Sequence, residues 1–241
     1  MKFKKVFSAN YFNTERNRNS IKFIILHYTG MQSERASIKR LTSIKSNVSA
    51  HYLINRKGAV TKMIDEKKTA WHAGKSKWKN FTNLNKDSIG IEIVNKGHKF
   101  GYEKFTKLQI SKIIFICKIL MKKYKIKKDN ILAHSDIAPL RKQDPGEKFP
   151  WLFLSKKGIG SWYRIKKKIK EKNLEKKNFR NYFFNNLHKI GYRYFDRKRK
   201  LSSDYKIIKA FQRRYRQNKI NGLIDQECIA ISANLAKNTH N

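Results

Sequence analysis

Cysteine, acidic side chains and long apolar runs are all scarce in this sequence of 241 residues. The two cysteines, Cys117 and Cys228, are too few for a disulfide framework and do not form a C-x-x-C pair. Cys117 falls within an apolar helical pattern, so we expect it in the core. Because no run reaches about 18 apolar residues, we expect no membrane-spanning helix. The basic first residues lack the apolar stretch of a secretory signal and a lipobox-like cysteine, so we expect no recognisable export signal.

Negative charge is rare: 17 acidic residues face 57 lysines and arginines, which gives a formal net charge of +40. Such an excess fits a polyanionic partner, such as nucleic acid, teichoic acid, an anionic lipid surface or peptidoglycan with free carboxylates. Dispersed lysines also make an ordinary solvated surface, so charge alone does not choose among these. No RNP-like motif, zinc-finger spacing or helix-turn-helix signature is present. We therefore expect no nucleic-acid partner, and a basic nucleic-acid-binding protein is kept only as an alternative.

Short apolar segments alternate with amphipathic ones over the first half of the chain. The apolar segments KFIILHY, SIGIEIVN and NILAH are typical of strands, and HYLINRKGAVTKMI is typical of a hairpin. Helical spacing marks two further segments, the first with Ser33 as its N-cap. Strands interleaved with helices predict an α/β layer architecture. The predicted strands are 22–28, 88–95 and 130–134, the hairpin is 51–64, and the helices are 33–46 and 106–126.

The composition changes after Trp162, where a charged stretch, IKKKIKEKNLEKKN, precedes three short amphipathic segments. Gly191 and Asn221-Gly222 break these segments, which predicts a small all-α module of three helices. We therefore divide the chain into a larger domain (1–165), a charged connector (166–177) and a three-helix domain (178–241).

Two histidines end predicted strands, and a carboxylate follows them on a stiff loop. His27 and His134 fall where ligands gather in α/β sheets, outside the strand ends. Asp144 lies on a loop that Pro139 and Pro145-Gly146 stiffen. Two imidazoles and one carboxylate from separate segments, with a fourth position left for water, form the open site of a catalytic zinc. The alternative is that Asp144 caps a turn before Pro145.

Five segments together resemble the type 2 N-acetylmuramoyl-L-alanine amidases, zinc enzymes of bacterial cell walls. The segments are IKFIILHYTG, VSAHYLINRKGAV, AWHAG, LNKDSIGIEIVN and AHSDIAPLRKQDPGEKFPW, and the resemblance covers roughly residues 8–162. It implies the fold shared with phage lysozyme-type amidases and peptidoglycan recognition proteins, a mixed central sheet flanked by helices. It also implies one Zn²⁺ per chain, bound by His27, His134 and Asp144.

The same resemblance implies a catalytic Glu92, from IGIEI, and a catalytic Lys142, from RKQDPG. Zinc would polarise the carbonyl and lower the pKa of a water. Glu92 would then move the proton from that water to the leaving amine, and Lys142 would stabilise the oxyanion. The bond cut would join N-acetylmuramic acid, or its anhydro form, to L-alanine. Alternatively, Glu92 is a strand-surface carboxylate paired with a lysine, and Lys142 is surface charge.

Four further residues are candidate substrate contacts. The resemblance puts His51, from SAHYLI, and His72, from WHAG, near the cleft, although each could equally be a hydrogen-bonded core histidine. Trp71 offers an aromatic face to a sugar or a stem peptide, and Asn85 offers an amide. The alternative for both is packing of the loop on itself.

Residues 178–238 resemble the three-helix peptidoglycan-binding domain through LHKIGY, AFQRRY and NGLIDQE. This resemblance implies a tether that raises the local concentration of the enzyme on the wall. A packing appendage that shields one side of the larger domain is the alternative. Arg213, Arg214 and Arg216 make the AFQRRYR helix basic, so we expect them to contact wall carboxylates or phosphates.

Taken together, these residues predict a zinc amidase that acts on peptidoglycan or muropeptide fragments as a monomer. A wall-recognition protein without turnover is the alternative, but it would be expected to lack some of the five ligand and catalytic residues. All five are present here. The resemblance favours the cell envelope, periplasm or secretion, whereas the absence of a visible signal leaves the cytoplasm open.

Overall fold

The computed structural model describes residues 4–164 and 176–239. The strands of this part are β1 (Lys4–Lys5), β2 (Tyr11–Phe12), β3 (Phe23–Tyr28), β4 (Tyr52–Ile54), β5 (Val60–Lys62), β6 (Thr69–Ala70), β7 (Lys77–Trp78), β8 (Phe81–Thr82), β9 (Ser88–Ile93) and β10 (Ile131–Ala133). Its α-helices are α1 (Glu34–Thr42), α2 (Lys107–Tyr124), α3 (His134–Ile137), α4 (Trp151–Lys156), α5 (Phe179–Ile190), α6 (Asp204–Tyr215) and α7 (Gln226–Lys237). Short 3₁₀ turns lie at Arg18–Ser20, Ile44–Ser46, Lys128–Asn130 and Lys176–Asn178.

A six-stranded sheet in the order β1-β5-β4-β9-β3-β10 forms the centre of the fold. Every neighbouring pair is parallel except β4 and β5, which are antiparallel. The exception follows from the short loop between them, where the Asn55 side chain accepts hydrogen bonds from the amides of Lys57 and Ala59. The predicted mixed sheet and its hairpin are thus confirmed.

The side chains of β9 alternate between the two faces of the sheet, one of which faces the core and the other the candidate site. Ile89, Ile91 and Ile93 are fully buried in a cluster with Cys117 of α2, as the sequence predicted for both segments. Full burial of each such side chain contributes roughly 1.5–3 kcal/mol. Glu92 points to the other face, because successive residues of a strand face opposite sides of the sheet.

Helix α1 starts as predicted but ends early. The Ser33 side chain accepts a hydrogen bond from the Ala36 amide, so Ser33 is the N-cap. The expectation that the helix runs to residue 46 is wrong, because it ends at Thr42. Here Ser8 Oγ donates to the Leu41 carbonyl, and Asn10 Nδ2 donates to the Ser43 carbonyl at 2.7 Å. Side chains of the N-terminal segment therefore donate hydrogen bonds to carbonyls at the end of the helix.

The three predicted C-terminal helices are confirmed as α5, α6 and α7, and they pack on the sheet. Phe183 of α5 and Phe211 of α6 share a buried cluster with Phe23 and Ile25 of β3 and Leu132 of β10. The expected connector falls largely on residues 165–175, which lie outside the described residues. The division into separate domains stays a prediction. Within the described ranges, no helix is long and apolar enough to cross a membrane.

Candidate active site

Strand register brings the main site residues to one edge of the sheet. β10 and β3 are parallel neighbours, with Ala133 opposite Leu26, so His134 follows directly beside His27. On the other side of β3, Glu92 of β9 lies opposite His27. The expectation that His27 and His134 meet at a common strand end is confirmed.

One atom from each of the three predicted ligand residues forms a corner of a nearly equilateral triangle. His27 Nδ1 lies 2.9 Å from His134 Nδ1, and each nitrogen lies 3.0 Å from Asp144 Oδ2. All three residues are buried, at 1%, 3% and 6% exposure. Two ring nitrogens this close need a proton or a cation between them. A metal ion touching all three atoms satisfies every pair at once, so these residues fit a small divalent cation.

The protonation states in the triangle suit metal binding. Burial by itself raises the pKa of the Asp144 carboxyl, but His134 and His27 outweigh burial and hold that pKa well below its usual range. Burial lowers the pKa of His27 to about 4, and His134 adds in the same direction. At neutral pH, Asp144 is therefore an anion and His27 is neutral, which are the forms that bind metals.

A chain of hydrogen bonds fixes which nitrogen of His27 carries its proton. Ser88 Oγ donates to the Leu84 carbonyl at 2.5 Å, so the His72 Nε2–H donates to Ser88 Oγ at 3.2 Å. His72 Nδ1 is then an acceptor, and His27 Nε2–H donates to it at 3.1 Å. The lone pair of His27 Nδ1 is left pointing into the triangle. Such outer partners orient the ligands of a metal.

His134 is oriented in the same way by the segment that follows His72. Its Nε2–H donates to the Ala73 carbonyl at 3.1 Å, which leaves Nδ1 free for the triangle. Arg141 Nη2 donates to the same carbonyl and, at 2.9 Å, to the Lys75 carbonyl. Sequence reasoning missed Arg141, although it precedes Lys142 in RKQDPG, because only the tertiary contact distinguishes it from a surface arginine.

Glu92 has the surroundings of a proton acceptor rather than of a surface ion pair. Its Oε2 atom is buried and has no hydrogen-bond partner within residues 4–164 and 176–239. Burial raises the pKa of its carboxyl well above the usual range, and the charge of Asp144 adds to this. Lys142 is close enough to oppose the shift. The carboxyl is thus more basic than that of an ordinary glutamate.

A cavity of about 250 Å³ opens over the triangle. Its lining is rich in cations, because Arg40, Arg141 and Lys142 all contribute to it. Sequence reasoning did not single out Arg40, which lies on the exposed side of α1 and carries no motif. The wall is completed by the triangle residues and by Tyr28, Thr29, Met31, Ser37, Leu41, Val48, Ser49, His72, Glu92 and Gln143.

The structure does not bring His51 to the cavity lining. His51 is fully buried, its Nδ1 accepts from the Gly90 amide at 3.0 Å, and its Nε2 lies 3.1 Å from the Lys68 carbonyl. Burial lowers the pKa of His51 to about 3, with Arg16 adding to the shift. These contacts are those of a hydrogen-bonded core histidine, the alternative considered for this position. His72, in contrast, does line the cavity.

Trp71 and Asn85 are also absent from the cavity lining and hold neighbouring segments together. The Trp71 ring packs edge-on against Phe12, with centroids 5.5 Å apart. Asn85 Oδ1 accepts from the amides of His72 and Ala73 at 3.1 and 2.7 Å. Asn85 therefore places the two residues that orient the histidines of the triangle.

The expectation that the arginines of the AFQRRYR segment contact wall anions is wrong for two of the three. Arg214 and Arg216 are only 1% and 2% exposed, and they pair with Asp136 and Asp225 of this same chain. Arg213 donates to Gln143 Oε1 at 3.1 Å. A basic helix pattern does not reveal such internal acidic partners: Asp136 lies 78 residues before Arg214, and Asp225 lies beyond the end of the helix.

Comparison with known sequences identifies proteins that this chain resembles. The pattern of the N-acetylmuramoyl-L-alanine amidases matches residues 17–147. N-acetylmuramoyl-L-alanine amidase AmiD of Escherichia coli is 40% identical over 154 residues, which are 59% of this chain and 55% of AmiD. 1,6-Anhydro-N-acetylmuramyl-L-alanine amidase AmpD of Haemophilus influenzae is 30% identical over 159 residues, 58% of this chain and 84% of AmpD. The aligned part thus spans about half the length of AmiD.

Solved structures match nearly the whole chain. The Escherichia coli AmiD structure, a complex with anhydro-N-acetylmuramic acid-L-Ala-D-γ-Glu-L-Lys, has a TM-score of 0.77 at 31% identity and covers 94% of this chain and 91% of its own. AmpDh3 of Pseudomonas aeruginosa has a TM-score of 0.77 at 29% identity and covers 94% of both chains. The matched range of the family pattern, residues 17–147, spans the positions of all three triangle residues, Glu92 and Lys142. Since that pattern extends over more than half of the sequence, this chain belongs to the N-acetylmuramoyl-L-alanine amidase family.

Proposed function

We propose that this chain is a zinc-dependent hydrolase of peptidoglycan or muropeptides. It cleaves the amide between N-acetylmuramic acid, or its anhydro form, and L-alanine. The convergence of His27, His134 and Asp144 in a cavity that Glu92 and Lys142 also line carries this proposal. The AmiD complex with an anhydro-muramyl peptide supports the substrate class.

We assign His27, His134 and Asp144 as the ligands of one zinc ion per chain. Two imidazoles and a carboxylate, with room for a water, match the usual catalytic zinc set. When bound, zinc supplies a Lewis acid and lowers the pKa of a water toward about 7. His72, Ala73 and Arg141 keep the two histidines in the tautomers that this site needs.

Glu92 and Lys142 supply the remaining chemistry. Glu92 accepts a proton from the attacking water as its oxygen bonds to the amide carbon. The same carboxyl returns that proton to the nitrogen of L-alanine as the carbon–nitrogen bond breaks, which leaves a lactyl carboxylic acid and a free amine. Lys142 stabilises the negative charge that forms on the carbonyl oxygen.

The cationic cavity lining suits this substrate. Stem peptides carry carboxylates, and the Arg40, Arg141 and Lys142 side chains give the cavity a positive field that attracts them. Of the four predicted substrate contacts, His72 is the one that lines the cavity, so we keep it as the candidate. The role of proton acceptor proposed for Glu92 distinguishes the hydrolase from a binding protein without turnover.

The test is incubation of the purified chain with an anhydro-muropeptide, with mass spectrometry detecting the released stem peptide. We expect release with zinc, loss of release with a chelator, and recovery when zinc is restored. The variant Asp144→Asn, which keeps the side-chain shape, should lose both zinc and release. Absence of release from zinc-loaded protein that binds the muropeptide would instead support a recognition protein.

We further infer that the protein acts in the cell envelope, in the periplasm or after secretion, and that it is a monomer. N-acetylmuramoyl-L-alanine amidases act on an amide of the cell wall, and the match of residues 17–147 to their pattern supports this location. Fractionation of cells would place it in the envelope or, against this inference, in the cytoplasm. Analytical ultracentrifugation would test the monomer.

A further inference from the structure

Four side chains from the C-terminal part of the chain reach the segment 134–149, which we call the ligand loop. This loop carries His134, Lys142 and Asp144. The four side chains come from the turn after α5, from α6 and from the residues just beyond it; they are Tyr192, Arg213, Arg214 and Gln217. Each contacts the loop through a hydrogen bond or an ion pair.

Asp136 receives two of these four contacts. It is fully buried two residues after His134. The Tyr192 hydroxyl donates to Asp136 Oδ1 at 2.6 Å, and the Arg214 guanidinium forms an ion pair with Asp136 Oδ2. Asp136 Oδ2 also accepts from the Ala133 amide at 2.8 Å, which fixes the first turn of α3. His134 begins that turn, so the same carboxylate holds its main chain.

Arg214 makes further contacts besides its ion pair with Asp136. Its guanidinium lies 4.2 Å from the centroid of the Trp151 ring, and its Nη2 donates to the Ile131 carbonyl at 3.1 Å. Ile131 begins β10, the strand that leads to His134. One arginine of α6 thus braces both the strand before His134 and the turn after it.

Two further contacts hold the rest of the ligand loop. Arg213 Nη2 donates to Gln143 Oε1 at 3.1 Å, next to Asp144 in the chain. Gln217 Nε2 donates to the Phe149 carbonyl at 2.7 Å. The C-terminal part of the chain therefore contacts the ligand loop at three places: near its start, beside Asp144 and at its end.

We propose that Tyr192 and Arg214 are positioning residues for the metal centre, so that the C-terminal helices complete the active site. The expected effect of these residues on turnover rests on the proposed zinc hydrolase. Their expected effect on metal affinity does not depend on that function. A helix of four residues is too short to be stable on its own. Without its bonds to Tyr192 and Arg214, α3 no longer holds His134 in register with His27 and Asp144.

The first test removes one hydroxyl. Tyr192→Phe keeps the ring and loses the bond to Asp136. Ser232→Ala is the matched control, because it also removes a buried hydroxyl, one that accepts from Asn186 Nδ2 at 3.2 Å within the helices. Zinc affinity is measured by competition with a chromophoric chelator. We expect Tyr192→Phe to weaken zinc binding about 10-fold, as loss of outer partners typically does, and Ser232→Ala to leave it within about twofold.

The second test compares two arginines of nearly equal burial. Arg214→Lys weakens the pair with Asp136, and Arg216→Lys weakens a pair with Asp225 that stays within the C-terminal part. Hydrogen exchange is followed at the Ser135 amide, which donates to the Asp144 carbonyl at 3.0 Å. We expect faster exchange and weaker zinc binding in Arg214→Lys alone, with thermal unfolding showing that both variants fold.

The proposal is overturned if folded Tyr192→Phe and Arg214→Lys bind zinc as the parent does. Equal losses in each variant and its control would also overturn it, since they would reflect general stability rather than the ligand loop. Zinc affinity and amide exchange need no substrate. A parent protein that binds zinc normally but releases no stem peptide would count against the proposed function alone.

Discussion

Glu92 is a residue whose surroundings alter its chemistry strongly. In water a glutamate is a weak base, but here burial and the nearby Asp144 both disfavour the charged form and raise its pKa. Because its Oε2 atom has no hydrogen-bond partner among the residues that the structure describes, this atom can accept a proton from a water. Basicity nearer to neutral pH is what a general base needs.

Replacement of Glu92 by Gln keeps the shape of the side chain and removes its basicity. We expect stem-peptide release to fall about 10²- to 10⁴-fold, while zinc binding stays within about twofold of the parent. Rates from mass spectrometry and chelator competition measure the two effects. Glu34→Gln, on the exposed start of α1, is the control and should leave both unchanged. Full turnover by Glu92→Gln would remove the assignment of Glu92 as the base.

Gly90 gives a second prediction at this scale. A Cβ atom at this position would lie 2.4 Å from His72 Cγ, so a methyl group must push the His72 ring away from His27. We expect Gly90→Ala to destabilise the fold by about 1–3 kcal/mol and to weaken zinc binding. Thermal unfolding and chelator competition report the two effects.

A double-mutant cycle checks that His72 is the neighbour responsible. If the clash is with His72, combining Gly90→Ala with His72→Ala should cost less stability than the sum of the two single changes. Additive costs would show that Gly90 is needed for another reason.

The site could be predicted from the sequence to the extent that local position determines it. His27 and His134 end apolar strands, and parallel strands deliver such residues to the same edge. The roles of Arg214 and Asn85 could not be predicted, because their partners depend on packing between distant segments. His51 shows the same limit: its position near the motif was visible, but its two internal hydrogen bonds were not.

At the scale of elements, the start of α7 depends on one ionised side chain. Asp225 caps this helix by accepting from the Cys228 amide at 3.1 Å, and it pairs with Arg216. Burial by itself raises the pKa of Asp225, but Arg216 and the capped amide lower it to about 2. The unfolded value is about 3.9, so the charged form stabilises the fold above that pH.

We therefore expect this stabilisation to be present above about pH 4 and to be lost as the pH falls toward 2. The measurement is urea unfolding of the parent and of Asp225→Asn at several pH values across that interval. The difference between the two proteins should shrink as the pH falls, because asparagine can still cap the helix but carries no charge. A difference that does not change with pH would contradict the assignment.

Elements were predictable where apolar periodicity is strong. Helix α2, with the Thr106–Gln109 capping box, and strands β3 and β9 lie within two residues of their expected bounds. The end of α1 was not predictable, because Ser8 and Asn10, far back in the chain, take up its last carbonyls. The two-residue strands β7 and β8 carry too few residues to show a period.

At the scale of the whole molecule, the net charge of +40 makes the folded state repel itself. Salt shortens the range of this repulsion from about 30 Å at 0.01 M to about 10 Å at 0.1 M. We expect the midpoint of thermal unfolding to rise between these concentrations of sodium chloride, by roughly 2–4 °C for each kcal/mol relieved. Potassium chloride at the same ionic strengths is the control, because screening depends on ionic strength and should give the same rise. A midpoint that falls with salt would mean that surface ion pairs outweigh repulsion.

The apolar face shared by β3, β10 and the C-terminal helices also limits how such chains can recombine. Phe23 and Ile25 pack with Phe183 and Phe211, and a tightly packed surface tolerates few unmatched changes in volume. Exchange of the helices between relatives would leave voids or overlaps unless the sheet residues were exchanged with them. The sheet and the C-terminal helices should therefore be inherited together. A substitution in β3 should be accompanied in relatives by a compensating substitution in α5 or α6.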